Sequence, residues 1–230
     1  MKARWLVDAS GLGGASLLGQ APLEPEDLCE ARHQVHRVDD MERARAYFAH
    51  HGVAPGESLV FTSVAGGFSS LQVRLEGEVI TLLSGTIPGQ GWDRQRKVLA
   101  QLRREQPWIG EQLRGAGRAI PLRRPYDTLA RGNRAALGDA ACQVFSAHGS
   151  GVGQGLIAGK ILADALAGGR GVLGYQVDYQ RSHGGVLAAM VWFRRLTQSL
   201  SPRQLGELMR AGVMNPEISR DALLQRSLDD

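Results

Sequence analysis

Arg134-Ala-Ala-Leu137-Gly138-Asp139-Ala-Ala141, a short linker, then Gly149-Ser150-Gly151-Val152-Gly153-Gln154-Gly155 running into Leu156–Leu166 is the stretch on which the fold turns. Arg134–Leu137 is a short buried strand. Gly149–Gly155 is a glycine loop, and Ile157, Ile161, Leu162 and Ala165 fall at helical spacing. A carboxylate at the end of a strand, such as Asp139, accepts hydrogen bonds from sugar or ribityl hydroxyls. The glycines let backbone approach a ligand closely. The helix that follows aims free N–H groups and its positive dipole end at an anion. The sum is half of a nucleotide-cofactor cradle.

Cheaper readings compete with this one. A phosphate-binding P-loop needs a glycine where Gln154 stands and Ser or Thr where Ile161 follows Gly159-Lys160. A dinucleotide fingerprint fails because Gly151-Val-Gly153 is followed by Leu156. The plainest alternative is that these glycines only let a helix pack close to a strand. A second fingerprint-like run, Gly11-Leu-Gly13-Gly14, follows the apolar strand Trp5–Asp8, but Gly19, Pro22 and Pro25 leave room for two helical turns at most. A continuous apolar strand entering a glycine loop is typical of a central strand in an α/β sheet.

Outward from these anchors, residues 20–40 read as irregular. Asp39 or Asp40 caps a helix through Met41–His51, ended by Gly52. Ser58–Val64, Ser69–Glu76 and Glu78–Ser84 read as an antiparallel meander. In it Leu71, Val73 and Leu75 alternate with Gln72, Arg74 and Glu76. Asp93–Gln106 is a helix with Val98, Leu99 and Leu102 inward, stopped by Pro107, and Arg118–Leu122 is extended. The tail is helical: Tyr175, Tyr179, Val186, Met190, Phe193, Leu196 and Leu200 form one stripe, interrupted at Gly184-Gly185. Ser201-Pro202 starts another helix through about Met209. No internal repeat is present.

Composition narrows the class. The 230 residues hold 30 glycines, but they are clustered, apolar residues are 43% and prolines number 9, so the glycine does not signal disorder. The formal charge of +4 is too small to argue for nucleic acid. It is uneven: residues 91–134 carry eleven Lys/Arg against four Asp/Glu, a net of +7. That is either a solvated basic face or a surface for an anionic ligand or membrane. Cys29 and Cys142 are too few for a disulfide framework or a zinc site and point to a reducing, cytoplasmic compartment. Cys142, after two alanines, reads as buried packing. No run is long and apolar enough for a membrane span, and the opening residues do not read as a signal peptide.

Four segments together resemble a family. Val7-Asp8-Ala9-Ser10-Gly11 resembles the second FAD-contacting motif of flavoproteins with the para-hydroxybenzoate hydroxylase type of fold, and Leu137-Gly138-Asp139-Ala140-Ala141 with its glycine-rich helix start resembles the third. Between them, Ala65-Gly66-Gly67-Phe68-Ser69 and Ile120-Pro121-Leu122-Arg123-Arg124-Pro125 resemble the geranylgeranyl reductase branch, in the family's order. The resemblance implies a mixed α+β and α/β chain. Residues 1–20 and 130–170 would be the C-terminal portion of a Rossmann-like FAD domain, 21–129 an inserted antiparallel β-sheet substrate domain, and 171–230 a helical tail. Asp139 then corresponds to the carboxylate on the ribityl chain, with Gly138 in its turn. Gly149, Ser150, Gly151, Val152 and Gly153 correspond to contacts with pyrophosphate and flavin edge, and Asp8 and Gly11 to the loop beside the cofactor. Gly66, Gly67, Phe68 and Ser69 would lie near the flavin's working face.

There are departures. The proline the family carries after the Gly-Asp motif is replaced here by Cys142-Gln-Val-Phe145-Ser-Ala-His148. The first FAD motif, a strand with Gly-x-Gly-x-x-Gly, is expected well upstream of Asp8, so the motif order implies a cofactor domain that begins before Met1. No residue is an obligatory acid or base, and His148, Phe68 and Ser69 are the candidates for contact with the reacting groups.

By this resemblance the protein is an FAD-dependent oxidoreductase that reduces carbon–carbon double bonds of an isoprenoid or lipid-like substrate. Two alternatives are a flavin monooxygenase or halogenase on the same fold, and a fragment without FAD binding or catalysis. The implied partners are an apolar small molecule or lipid and an electron donor, with no nucleic acid. Peripheral contact with a membrane through 91–134 and Trp192-Phe193-Arg194-Arg195 completes the expectation for a cytoplasmic protein.

Overall fold

A computed structural model describes residues 3–66 and 69–213 of the chain. Gly67 and Phe68, one of the candidate contact residues, lie outside the described residues. Leu28–Ala119 forms one compact unit, and the described residues on either side of it form the other.

The first unit is a five-stranded sheet with two helices. Its strands are β2 (Leu28–Val38), β3 (Ser58–Thr62), β4 (Ser70–Glu76), β5 (Val79–Thr86) and β6 (Ile109–Pro121, whose last two residues leave the unit), in spatial order β3-β4-β5-β2-β6. The expected meander is present, with Val73 opposite Leu82 and Leu75 opposite Ile80. Alternation works as predicted. Leu71, Val73, Ile80 and Leu82 are buried on one face against Ala44 and Phe48 of α1 (Met41–His50) and Val98, Leu99 and Leu102 of α2 (Gln95–Glu105). Asp40 is the N-cap of α1 and accepts the Arg43 N–H at 3.0 Å.

Two strands correct the sequence reading. Residues 28–38 are not irregular; they pair with β5 in an antiparallel register from Glu30 opposite Thr86 to Arg37 opposite Val79. The apolar signal fails because the positions facing the helices carry Gln34 and His36. Fully buried His36 is satisfied by the Gly110 carbonyl at Nδ1 (3.0 Å) and the Gln34 amide at Nε2 (3.2 Å). Burial, with the nearby Arg103 charge, lowers the His36 pKa despite the bond to Gly110. The extended segment at Arg118 begins much earlier, at Ile109. Residues 111–119 are exposed on both faces, so no alternation marks them. At Gly115 a Cβ would sit 2.8 Å from the His33 carbonyl oxygen, so a glycine allows β6 its close approach to β2.

In the second unit, β1 (Leu6–Asp8) pairs in parallel with β8 (Arg134–Ala136), which pairs antiparallel with β7 (Ala130–Arg131). Among the described residues β1 is therefore an edge rather than a central strand, with Leu6 and Val7 partly exposed. α3 (Val152–Ala167) starts four residues earlier than the Leu156 expected from the sequence, so Gly153 and Gly155 are helical. α4 (Gly171–Tyr179) passes through a wider π-type turn at Gln180–Gly184 into α5 (Gly185–Ser199). An i→i+5 turn inserts one residue and rotates the following face. The buried stripe of α5 is accordingly Leu187, Val191, Arg194 and Thr197, while Val186 and Leu196 of the predicted stripe are exposed. α6 (Pro202–Arg210) opens with Ser201 in a capping box with Gln204, as its sequence predicts. Cys142 is fully buried in the core with Leu129, Ala158, Leu162 and Tyr175, and both cysteines are free thiols.

Arg194 is the largest departure from expectation. It is 1% exposed and forms an ion pair with buried Asp27, so it belongs to the interior and not to a surface patch. In the 91–134 stretch, Lys97 pairs with Asp93 and Arg124 with Asp127, acids already counted in its net of +7, and only the Arg94–Glu30 pair brings in a carboxylate from outside it. Among the described residues no helix is long and apolar enough to cross a membrane, and no cluster of three His, Cys, Asp or Glu could hold a metal.

Candidate functional site

The parallel pair β1–β8 brings Asp8 and Asp139 to the same end of the sheet. The Leu137 N–H donates to the Asp8 carbonyl at 2.8 Å, and the chain then turns through Gly138 at φ +62° into a single 3-10 turn, Gly138–Ala141. A left-handed φ at 138 selects glycine. The turn is latched from beneath by two residues the sequence reading did not assign to the site. Gln143 accepts the Gly138 N–H (2.8 Å) and donates to the Tyr175 hydroxyl (2.7 Å), which in turn donates to the Ala136 carbonyl (2.9 Å). Gln143 and Tyr175 are both fully buried, so each bond is made without competing water. Tyr175 had a signal, its place in the apolar stripe, but nothing local marked its hydroxyl as a brace. Gln143 stands where the family's proline was expected nearby, and this chain shapes the turn by side-chain hydrogen bonds.

Asp139 therefore has a fixed backbone and an uncommitted side chain. Its carboxylate is partly buried and accepts no hydrogen bond from the described residues, and burial alone raises its pKa. It stands over the start of α3: a Cβ added at Gly151 would lie 3.2 Å from Asp139 Oδ1 and 3.3 Å from Val144 Cγ2. Gly151 is the N-cap of α3, no side chain caps it, and the first turn carries no acid. The opening face of the helix shows Val152 and Leu156 to solvent at 79% and 73% exposure. An uncommitted carboxylate, uncapped helical N–H groups and exposed apolar side chains thus share one place.

The preceding loop is closed on itself. The Phe145 N–H donates to the Ser150 carbonyl (2.8 Å), the Gly149 N–H donates to the Phe145 carbonyl (2.9 Å), and Gly149 sits at φ +76°. His148 is exposed and stacks on Phe145 at 4.7 Å between centroids. Asp8 is different from Asp139. Its buried carboxylate accepts the Ser10 N–H (3.1 Å), the Ser10 hydroxyl and the Leu17 N–H (3.1 Å), shaping the loop that contains Gly11 at φ +79°. Burial pushes the Asp8 pKa up, but those hydrogen bonds outweigh it and leave the group below its ordinary value. Ser69 lies in the other unit, where its buried hydroxyl accepts the Ala65 N–H (3.0 Å) and donates to the Gly66 carbonyl (3.2 Å), holding the turn after β3. The structure thus gathers Asp8, Gly11, Gly138, Asp139 and Gly149–Gly153 in one unit, with His148 on the same loop, and Ser69 in the other.

No family model matches the chain, and no match is found among the curated proteins. Solved structures do match. A geranylgeranyl bacteriochlorophyll reductase-like protein from Thermoplasma acidophilum superposes with a TM-score of 0.70 at 15% identity, over 90% of this chain and 53% of that one. PqsL of Pseudomonas aeruginosa, described as a probable FAD-dependent monooxygenase, gives 0.56 at 18% identity over 90% of this chain and 59% of its own. HpxO of Klebsiella pneumoniae, solved with FAD and uric acid, gives 0.54 at 17% identity over 89% and 54%. The chain shares the fold of these three proteins and spans between 53% and 59% of their length.

Proposed function

We propose that the chain is part of an FAD-dependent oxidoreductase in which residues 1–20 and 130–170 hold the cofactor and the sheet within 21–129 faces the substrate. The observation that carries the proposal is Asp139: a partly buried carboxylate, rigidly placed, with no hydrogen-bond partner among the described residues, beside the uncapped start of α3. A buried polar group left unpaired is costly, and ribityl hydroxyls are the donors that this carboxylate would accept. The N–H groups of the first turn of α3 would donate to phosphate oxygens, and Gly151 leaves the space that a Cβ would fill. When bound, FAD supplies hydride transfer. Gln143 and Tyr175 keep the Asp139 turn from relaxing, and Val152 and Leu156 provide apolar cover.

The finer reading is reduction of a carbon–carbon double bond in an isoprenoid or lipid-like substrate. Its support is the resemblance of Ala65–Ser69 and Ile120–Pro125 to the geranylgeranyl reductase branch. The test is to purify the chain, titrate it with FAD, and record the visible spectrum and bound flavin after desalting. Near-stoichiometric flavin that falls at least tenfold in Asp139→Ala supports the cradle; binding unchanged by that substitution refutes it. Oxygen consumption stoichiometric with substrate would decide for the monooxygenase or halogenase reading.

A further inference from the structure

We propose that a cleft on the helical side of the second unit is a binding site for a phosphate-type oxyanion. The cleft encloses about 380 Å³ and is lined chiefly by Asp27, Arg123, Arg124, Trp192 and Arg195. Three cations and one acid line it, and the acid is already engaged. Asp27 is buried and pairs first with Arg194 from the interior, leaving Arg195 two long contacts of 3.5 and 3.4 Å to its carboxylate oxygens. Arg124 pairs with Asp127. Arg123 has no carboxylate partner among the described residues. Counting Arg194 and Asp127, the local balance is four positive against two negative groups, so the cleft keeps two positive charges.

The cations are held in place. Arg123 Nε donates to the Arg124 carbonyl (3.0 Å), and its guanidinium lies 4.3 Å from the centroid of Tyr126, whose hydroxyl is tied to the Ala21 carbonyl (2.7 Å). Arg195 rises from α5 one residue after the buried anchor Arg194, and its side chain is 60% exposed. Guanidinium groups facing one cleft repel until an anion bridges them, and their planar forks suit phosphate oxygens. Trp192, 78% exposed, supplies an aromatic wall for an uncharged portion of the same ligand. Its lining shares no residue with the Asp139 cradle, and the proposal does not rest on flavin binding.

The experiment titrates the full chain with inorganic phosphate in a calorimeter at constant ionic strength, and in parallel measures co-sedimentation with vesicles of phosphatidylcholine alone or with phosphatidate. The expected result is saturable phosphate binding that weakens at least tenfold in Arg123→Gln and in Arg195→Gln. It should be unchanged in Arg203→Gln, whose side chain is 87% exposed on α6. Because Arg195 is largely exposed, its variants should fold, and Arg195→Lys should bind with intermediate affinity. Phosphate binding without added retention on phosphatidate vesicles identifies a soluble ligand. Arg195-dependent retention on phosphatidate vesicles alone identifies a lipid headgroup. Absence of both, or an equal loss in Arg203→Gln, overturns the proposal.

Discussion

Asp27→Asn should be among the most destabilising single-atom-scale changes in this protein. Arg194 is 1% exposed and its guanidinium has three kinds of partner: the Asp27 carboxylate, the Glu26 carbonyl (3.2 Å) and the Gln198 side chain (3.0 Å). The substitution keeps the shape and the two neutral acceptors but removes the compensating charge. At a charge separation of about 4 Å and an effective dielectric near 20, Coulomb attraction is about 4 kcal/mol. Breaking a buried pair from one side typically costs about 3–5 kcal/mol, because the remaining charge stays buried. For a protein of this size that corresponds to a fall in melting temperature of roughly 6–20 °C. Circular dichroism melts and urea titrations of wild type, Asp27→Asn, Asp27→Leu, Arg194→Met and Asp27→Leu/Arg194→Met measure it. The double variant buries no charge and should lose less than Asp27→Asn does. A loss under about 1 kcal/mol in Asp27→Asn, or strictly additive losses in the double variant, would refute the reasoning.

Two further outcomes follow from the buried ionisable groups. The His36 pKa is lowered in the folded chain, so the unfolded chain binds more protons below its ordinary value of 6.5. Stability from this group is complete above that value and is lost as pH falls through the folded pKa. In urea titrations between pH 8 and pH 5, a His36→Gln variant should show a shallower decline than wild type, and parallel declines would show that His36 is not responsible. Asp139 has the opposite sign: its pKa is raised, so ionisation at neutral pH opposes folding and the cost disappears as pH falls. Asp139→Asn should therefore leave the unliganded chain as stable as wild type or slightly more so at pH 7, while weakening FAD binding. A marked loss of unliganded stability would mean that the carboxylate braces the fold.

The legible parts of the fold are those where one residue's neighbours in sequence are also its determinants in space. The meander was readable because Leu71 and Val73 on one strand, and Ile80 and Leu82 on the next, repeat with period two under one layer of helices. Asp40 and Ser201 announce their helices because a cap bonds only to the next few residues. β2 was illegible because its helix-facing positions hold Gln34 and His36, which are acceptable only when Gly110 and each other complete their hydrogen bonds. β6 was illegible because it has no buried face across 111–119, and is a strand by backbone pairing alone. Gly138 and Asp139 could be picked out as a site from local chemistry, whereas the Gln143–Tyr175 brace joins residues 32 positions apart and has no local signature.

The order of elements around Gly138-Asp139, the meander and the position of a carboxylate at the end of a strand can all be read along the chain. These depend on periodicity, glycine geometry and capping, all of them short-range. The tertiary structure alone decided which carboxylate stays available. Asp8 and Asp139 look alike in sequence, each at the end of a strand and before a glycine-rich stretch. In space Asp8 is consumed by three hydrogen bonds from its own loop, and Asp139 by none among the described residues. It also decided the fate of the basic stretch in α5, because one extra residue in the turn at Gln180–Gly184 rotates Arg194 into the core and leaves Arg195 outside. Burial of a charge depends on what lies opposite it, and what lies opposite Arg194 is Asp27, 167 residues away in the chain.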